Sequence, residues 1–330
     1  MKALRAHGYI RSAEEAVRAL KVETVPVPKP AKGQVLVKMK FAPCNPAEIL
    51  YITGTYGIDR PLPATPGFEG MGTVIAHGGG FIPRFMMGKR VATGGHECSG
   101  TWAEYCLSDA TACLPLSGKL TDEQGGTALA NPITAQALVA LAKGKKGLVN
   151  TAAAGQLGKM VSTLARKKGL TVLDVVRRPE QAEALRKNGA EVLVSDEPGF
   201  EERLAKRCHE AGVTLALDAV AGPTTGLLLN ALPKESEVVV YGNLSAALSG
   251  GVEPMQLAFG HKKVRGFEIA AHLKKVGVFG AMRMGNNAQA MVARGEVQTD
   301  IRRKVPLEEA PGALAEYVKE MSKGKMLFTL

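Results

Sequence analysis

A chain of 330 residues, 45% hydrophobic and 22% charged, has room for two domains with ample cores, and no apolar run approaches membrane-spanning length. The opening stretch MKALRAHGYIRSAEEAVRAL has no signal-peptide apolar core, and five cysteines without a CxxC pair fit free thiols, so a cytoplasmic protein is expected. The net charge of +11 comes from dispersed basic residues with a single tryptophan and no aromatic interleaving, which makes nucleic acid an unlikely partner and favours phosphate-bearing small molecules.

Taken in order, residues 2–118 read as short strands punctuated by Pro and Gly: 19–25, 34–42, 70–76, 90–93, 101–107 and 112–115. Residues 122–142 are Ala/Leu-rich and predict a helix broken at Pro132. From Gly147 the texture alternates. Strands are expected at 148–151, 170–176, 191–194, 213–220, 237–241 and 263–269. Helices are expected at 159–168, 179–187, 200–210 and 224–232. Such alternation means a doubly wound parallel sheet with ligands at the carboxyl ends of its strands. The tail predicts helices at 276–294 and 307–321 and a last strand at 325–330, which needs an edge in the N-terminal β region. The fold class is therefore α/β, with a mainly β domain (1–118 and 270–330) and a dinucleotide-type domain (119–269).

The segment 149–161, VNTAAAGQLGKMV, organises the second domain. Strand, tight turn and helix place Ala154, Gly155, Gln156, Leu157 and Gly158 where a pyrophosphate meets a helix N-terminus and its dipole. The spacing is Ala152-x-x-Gly155-x-x-Gly158, with alanine at the first glycine of the commoner fingerprint. Tight helix–strand packing without a ligand is the competing account. The next strand runs into Arg177 and Arg178, where many such folds place an acid against the adenosine ribose. Two guanidiniums suit a 2′-phosphate, so NADPH is read in preference to NADH. Asp174, two residues before the strand end, is the objection to that reading. Val220 and the Tyr241-Gly242-Asn243 segment end the fourth and fifth strands at the ligand edge and join the cofactor set. Lys325, at the start of the last strand, could reach a phosphate. Asn45 can hydrogen-bond cofactor or substrate, or simply form a turn before Pro46. Thr134 follows the proline break, with back-bonding to its own helix as the alternative. The six histidines show no triad or ligand spacing.

The order of Asn45-Pro46-Ala47-Glu48, Gly54-Thr55-Tyr56, Pro66-Gly67-Phe68-Glu69-Gly70, Gly88-Lys89-Arg90-Val91, Asn131-Pro132-Ile133-Thr134-Ala135 and Val264-Arg265-Gly266-Phe267 resembles the medium-chain dehydrogenase/reductase superfamily over essentially the full length. The resemblance implies a GroES-like catalytic domain beside a Rossmann domain, and a homodimer. Zinc-dependent members hold metal with cysteine and histidine ligands; the corresponding positions here are Asn45, Phe68 and Ala130, so no metal is expected. Gly95-His96-Glu97-Cys98 imitates a ligand cluster but falls in a different loop.

Two zinc-free subgroups compete. Quinone oxidoreductases share the AAAG turn (152–155) and Tyr241-Gly242-Asn243. Enoyl thioester reductases share Gly54-Thr55-Tyr56-Gly57, Gly100-Thr101-Trp102 and Arg265-Gly266-Phe267, although they usually follow the last with tryptophan where this chain has Glu268. The resemblance makes Tyr56 the catalytic hydroxyl, with Asn45 and Thr134 beside it. The expected activity is zinc-independent hydride transfer from NADPH to an activated C=C (enoyl thioester or enone) or a quinone. A binding or RNA-associated role without turnover, and a zinc alcohol dehydrogenase, are the alternatives.

Overall fold

Six parallel strands form one sheet in the spatial order Glu191–Val194, Thr171–Val176, Gly147–Asn150, Leu215–Asp218, Glu237–Val240, Lys263–Gly266. This is the 3-2-1-4-5-6 order of doubly wound dinucleotide folds, and strand order reverses beside Gly147–Asn150, the first strand of this sheet in sequence. The central strands Gly147–Asn150 and Leu215–Asp218 are buried at every residue, as strands covered on both faces must be. Between strands, helices bury one stripe each: Gln156–Lys167 turns Met160, Val161, Leu164 and Ala165 inward. Phe200–Ala211 does so with Phe200, Leu204 and Cys208, and stops at Gly212, whose left-handed φ of 61° suits a helix end.

The computed structural model describes residues 1–58, 60–95 and 99–330 and divides into two units, Met1–Ile133 with Gly277–Leu330, and Thr134–Val276. The first division falls inside the helix Ala130–Ala140 and the second at Gly277, where φ of 71° kinks the helix Ile269–Ala293. Both lie beyond the sequence boundaries of 118/119 and 269/270.

In the first unit the sheet order is Ile301–Pro306, Lys325–Thr329, Gln34–Pro43, Gly70–His77, Arg90–Thr93, Leu114–Pro115, with Tyr105–Asp109 also pairing Gln34–Pro43. The last strand of the chain runs antiparallel to Gln34–Pro43, with Leu327 opposite Pro43 and Phe328 opposite Ala42. The N-terminal β region is therefore its host. The core here joins Leu4, Val17, Tyr51, Trp102, Tyr317 and Phe328.

Several elements differ from the sequence reading. Residues 19–25 were expected as one strand, but a helix Ala13–Ala19 precedes a strand Lys21–Thr24. Ser12 caps that helix by accepting the Glu15 N–H, and Ala16 and Val17 face the core. The long helix at 122–142 is two, Asp122–Gly126 and Ala130–Ala140. Pro132 causes no break, because in a helix's first turn the missing N–H has no intrahelical partner to lose. The helix expected from 159 begins at Gln156, the expected strand 101–107 is Tyr105–Asp109, and the helices Pro46–Ile52 and Phe81–Met86 and the strand Ile301–Pro306 were not anticipated.

Candidate functional site

In the second unit the first strand delivers the chain into the turn 151–155 at the strand-order reversal. Ala152 sits at φ 50°, a left-handed conformation that costs an L-residue about 1 kcal/mol. This is the position that glycine holds in the commoner fingerprint. The other two glycines do different work. A Cβ on Gly158 would lie 2.6 Å from the Ala152 carbonyl oxygen and 2.7 Å from the Ala153 Cα, so Gly158 lets helix and turn pack. A Cβ on Gly155 would meet only the Ala152 oxygen, at 3.2 Å, which leaves the N-cap of Gln156–Lys167 approachable. The first amides of that helix have no intrahelical acceptor and face the positive end of its dipole. Ala154, Gly155 and Leu157 are partly exposed, whereas the Gln156 side chain is buried, so Gln156 can contribute to an anion only through its backbone.

Asp174 is not at the ligand edge. It is buried, and its carboxylate accepts from Asn150 Nδ2 at 3.0 Å, from Ser162 Oγ, and from Arg166 Nη2 at 2.5 Å. Those bonds tie strand to helix inside the unit, and the objection from Asp174 to a 2′-phosphate falls away. Arg177 is exposed and Arg178 partly exposed, and neither has a carboxylate partner among the described residues. Arg178 starts the helix Pro179–Arg186, its N–H donating to Gln181 Oε1 at 3.1 Å.

The fourth and fifth strand ends are stitched together by Asp218. Its Oδ1 accepts from the Val220 and Ala221 amides at 2.9 and 3.0 Å, and its Oδ2 from Thr225 Oγ1 at 2.8 Å. The Tyr241 amide donates to the Asp218 carbonyl, and the Leu244 and Ser245 amides donate to the Ala219 and Val220 carbonyls. Gly242 passes so close that a Cβ would lie 2.7 Å from the Ala219 oxygen. Burial, and then the Asp218 charge, push the Tyr241 phenol up, which keeps it a neutral hydrogen-bonding hydroxyl. Asn243 Oδ1 is buried with no hydrogen-bond partner, an acceptor left open at this edge. The geometry thus gathers the turn, Val220, Tyr241, Gly242 and Asn243 at the carboxyl ends of adjacent strands. Thr134 is partly buried, and its hydroxyl makes no hydrogen bond among the described residues, so the back-bonding alternative is not realised.

In the first unit Asn45 joins a buried polar network. Its amide N–H donates to Glu48 Oε2 at 2.8 Å and its Nδ2 to Glu48 Oε1 at 3.3 Å, while the Phe68 amide donates to the same Oε1 at 3.0 Å. Lys325 Nζ donates to Asn45 Oδ1 at 2.5 Å and lies 3.6 Å from Glu69 Oε2. Glu69 Oε1 accepts from the Leu129 and Ala130 amides at 3.0 and 2.7 Å, a carboxylate at the positive end of the helix Ala130–Ala140. Two carboxylates and one ammonium are thus held out of water. Burial pushes the Glu48 carboxyl up to about 7, against the hydrogen bonds from Phe68 and Asn45 and the Lys325 charge.

This corrects the reading of Lys325 as a phosphate contact: its ammonium is 2% exposed and spent on Asn45 and Glu69. Asn45 has its side-chain oxygen and one amide hydrogen committed within this network. Glu48 and Glu69 were visible only as family-motif residues. An acid three residues after an Asn-Pro helix start was the available signal for Glu48.

Tyr56 is exposed on the bend after the helix Pro46–Ile52 and stacks on Phe68, ring centroids 5.2 Å apart and planes 26° apart. Trp102 is fully buried, its Nε1 donating to the Pro43 carbonyl and its ring edge-on to Phe328, so it is core and no pocket wall. At the zinc-ligand positions of the resemblance stand Asn45, the aromatic Phe68 and Ala130, none of them an imidazole or thiolate. Burial, and then Glu48, push the neighbouring Cys44 thiol well up. No group of three or more His, Cys, Asp or Glu able to hold a metal occurs among the described residues. His96, Glu97 and Cys98 lie outside them. Cys44, Cys106, Cys113 and Cys208 are free and buried. No described helix is long and apolar enough to cross a membrane.

Known proteins are similar to this chain in sequence and fold. Residues 31–118 match the alcohol dehydrogenase GroES-like domain and residues 157–280 the zinc-binding dehydrogenase family. A Mesorhizobium loti protein assigned as an NADPH:quinone reductase superposes with a TM-score of 0.93 at 33% identity, covering 100% of this chain and 98% of that one. The chain belongs to the medium-chain dehydrogenase/reductase superfamily. It is similar to a mitochondrial enoyl-[acyl-carrier-protein] reductase of Caenorhabditis elegans, 32% identical over 242 residues, 72% of this chain and 69% of the relative. It is also similar to prostaglandin reductase-3 of Bos taurus, 29% identical over 288 residues, 84% of this chain and 74% of the relative. The chain therefore has the GroES-like and Rossmann-type parts of an oxidoreductase of this superfamily.

Proposed function

We propose that the chain is a zinc-independent, NADPH-dependent reductase of activated carbon–carbon double bonds, acting on an enone or enoyl thioester. The observation that carries the cofactor choice is the pair Arg177 and Arg178, free of acidic partners at the end of the second strand while Asp174 is committed inside the sheet. A 2′-phosphate gains two cations there and meets no carboxylate. The printed names of two relatives, an enoyl reductase and a prostaglandin reductase, support reduction of a double bond. The donor types at Asn45, Phe68 and Ala130 support chemistry without zinc.

Bound NADPH would supply the hydride. The backbone of Ala154, Gly155, Gln156, Leu157 and Gly158 would hold its pyrophosphate, with Val220, Tyr241, Gly242 and Asn243 along the same edge. Thr134 offers its unengaged hydroxyl. The Tyr56 hydroxyl would hydrogen-bond the acceptor's carbonyl oxygen, where charge collects during reduction, and would deliver the proton that ends on Cα. Asn45 keeps the Glu48 end of the loop in place.

A second reading, quinone reduction, is favoured by full-length likeness to the Mesorhizobium loti protein. Initial rates of NADPH and NADH oxidation with crotonyl-CoA, a simple enone and a benzoquinone separate these readings. Expected are a preference for NADPH of at least about tenfold, lost in the Arg177→Gln/Arg178→Gln double variant. Enone or thioester turnover is expected to fall about 10²-fold or more in Tyr56→Phe. Quinone turnover indifferent to Tyr56 would establish the second reading. We also propose a homodimer built on the strand Lys263–Gly266, an edge of the second unit's sheet exposed at all four residues, with Phe259 exposed nearby in sequence. Sedimentation equilibrium checks it.

A further inference from the structure

In the first unit a cavity of about 240 Å³ is lined by Arg5, Arg60 and the segment 61–65. The two guanidiniums converge on Thr65. Arg5 Nη1 donates to Thr65 Oγ1 at 3.0 Å and its Nη2 to the Pro63 carbonyl, while Arg60 Nη1 reaches the Thr65 carbonyl at 3.5 Å. The Nε of each is buried with no hydrogen-bond partner. Neither arginine pairs with a carboxylate among the described residues. Among the described residues, most of their ten N–H groups have no hydrogen-bond acceptor and the two positive charges have no paired carboxylate.

The arginines are held in place. Arg60 lies over the Tyr51 and Phe68 rings, 5.5 and 5.1 Å from their centroids. Its backbone is clamped by Tyr9, whose hydroxyl accepts the Arg60 N–H at 2.9 Å and donates to the Arg60 carbonyl at 3.1 Å. A fixed guanidinium loses little entropy on binding and presents a planar fork matched to two oxygens of an oxyanion. Phe68 links this hollow to Tyr56, since its ring stacks against both.

We propose that Arg60 and Arg5 form an anion subsite for the acceptor, so that the physiological substrate carries a carboxylate or phosphate group beyond its reducible double bond. The inference rests on the reading of Tyr56 as the acceptor-facing hydroxyl. A charged tail held here sets the distance from subsite to reacting carbon, and so selects acceptors by length as well as charge.

The test compares an enone bearing a terminal carboxylate with its own methyl ester, and crotonyl-CoA as the phosphate-bearing arm, on wild type and on Arg60→Met, Arg60→Lys and Arg5→Met. Expected is an acid-over-ester preference in kcat/KM of about tenfold or more, falling towards one in both Met variants and partly kept in Arg60→Lys. Arginine dependence of the crotonyl-CoA arm instead would place phosphate in the subsite. Equal use of acid and ester by wild type, with crotonyl-CoA indifferent to either arginine, overturns the proposal. Calorimetric titration of the same acid into the protein separates the two inferences. If nothing is turned over but the acid binds saturably and binding is lost in Arg60→Met, the reductase reading fails and the subsite stands. If no heat is seen with either acid or CoA, the subsite falls.

Discussion

The turn at 151–158 and the network around Lys325 handle charge in opposite ways. The turn is made of backbone: small residues, a left-handed alanine and a helix start leave partial positive charge facing outward, ready for a ligand. The network is made of side chains: Glu48, Glu69, Asn45 and Lys325 pair with one another in a dry interior, although Glu69 Oε2 has only the Lys325 charge and no hydrogen bond among the described residues. Asp174 with Arg166 and Asn150 repeats that second strategy under the cofactor edge. An acid near a predicted site is thus a poor guide to function until its partners are known. A cation with no carboxylate partner among the described residues, such as Arg177, is a better one.

The contrast breaks most sharply at Lys325. Lys325→Met leaves the Glu69 carboxylate buried without its counterion, an expected cost of about 3–5 kcal/mol in denaturant unfolding. Adding Glu69→Gln, which can still accept the Leu129 and Ala130 amides, is expected to recover more than half of it. If the double variant is no better than the single, the pair does not act as an ion pair.

Glu48 sharpens the comparison through pH. Its folded value of about 7 lies above the ordinary 4.5, so the folded state binds the proton more tightly than the unfolded one. Stability from this group is full below pH 4.5 and declines as pH rises to about 7, by about 3 kcal/mol. Unfolding measured from pH 4.5 to 7.5 is expected to show that decline in wild type, and Glu48→Gln is expected to flatten it.

On the backbone side, Gly158→Ala forces a methyl against the Ala152 oxygen and is expected to cost about 1–3 kcal/mol and to weaken NADPH binding, read by fluorescence titration. The smallest effect belongs to Ala152→Gly. Relief of the left-handed alanine is offset by a floppier unfolded chain, so a gain under about 1 kcal/mol with unchanged NADPH affinity is expected from thermal unfolding.

The same contrast explains what could be read in advance. The parallel sheet, the turn and the arginines after the second strand are written in stretches of about ten residues, where periodicity and glycine spacing carry the information. Lys325 meets Asn45 across 280 positions, and Glu69 meets Ala130 across 61, so neither role has a local signature. The strand Ile301–Pro306 was missed because IRRKVP buries only Val305 and looks like a solvated loop. The helix Ala13–Ala19 had a legible start in Ser12 followed by Glu15, which the strand reading passed over. Arg5 and Arg60 have no sequence signal beyond their identity, because they meet at Thr65 across 60 and 5 positions.

The single tryptophan of the chain, Trp102, is fully buried in the core of the first unit, and the second unit has none. Its emission is therefore a built-in reporter of one half of the molecule. A red shift that precedes the loss of far-ultraviolet ellipticity would mean that the unit holding Trp102 loosens while the other unit still stands. Coincident transitions would make the two halves one cooperative unit, with no added dye or label needed to tell the difference.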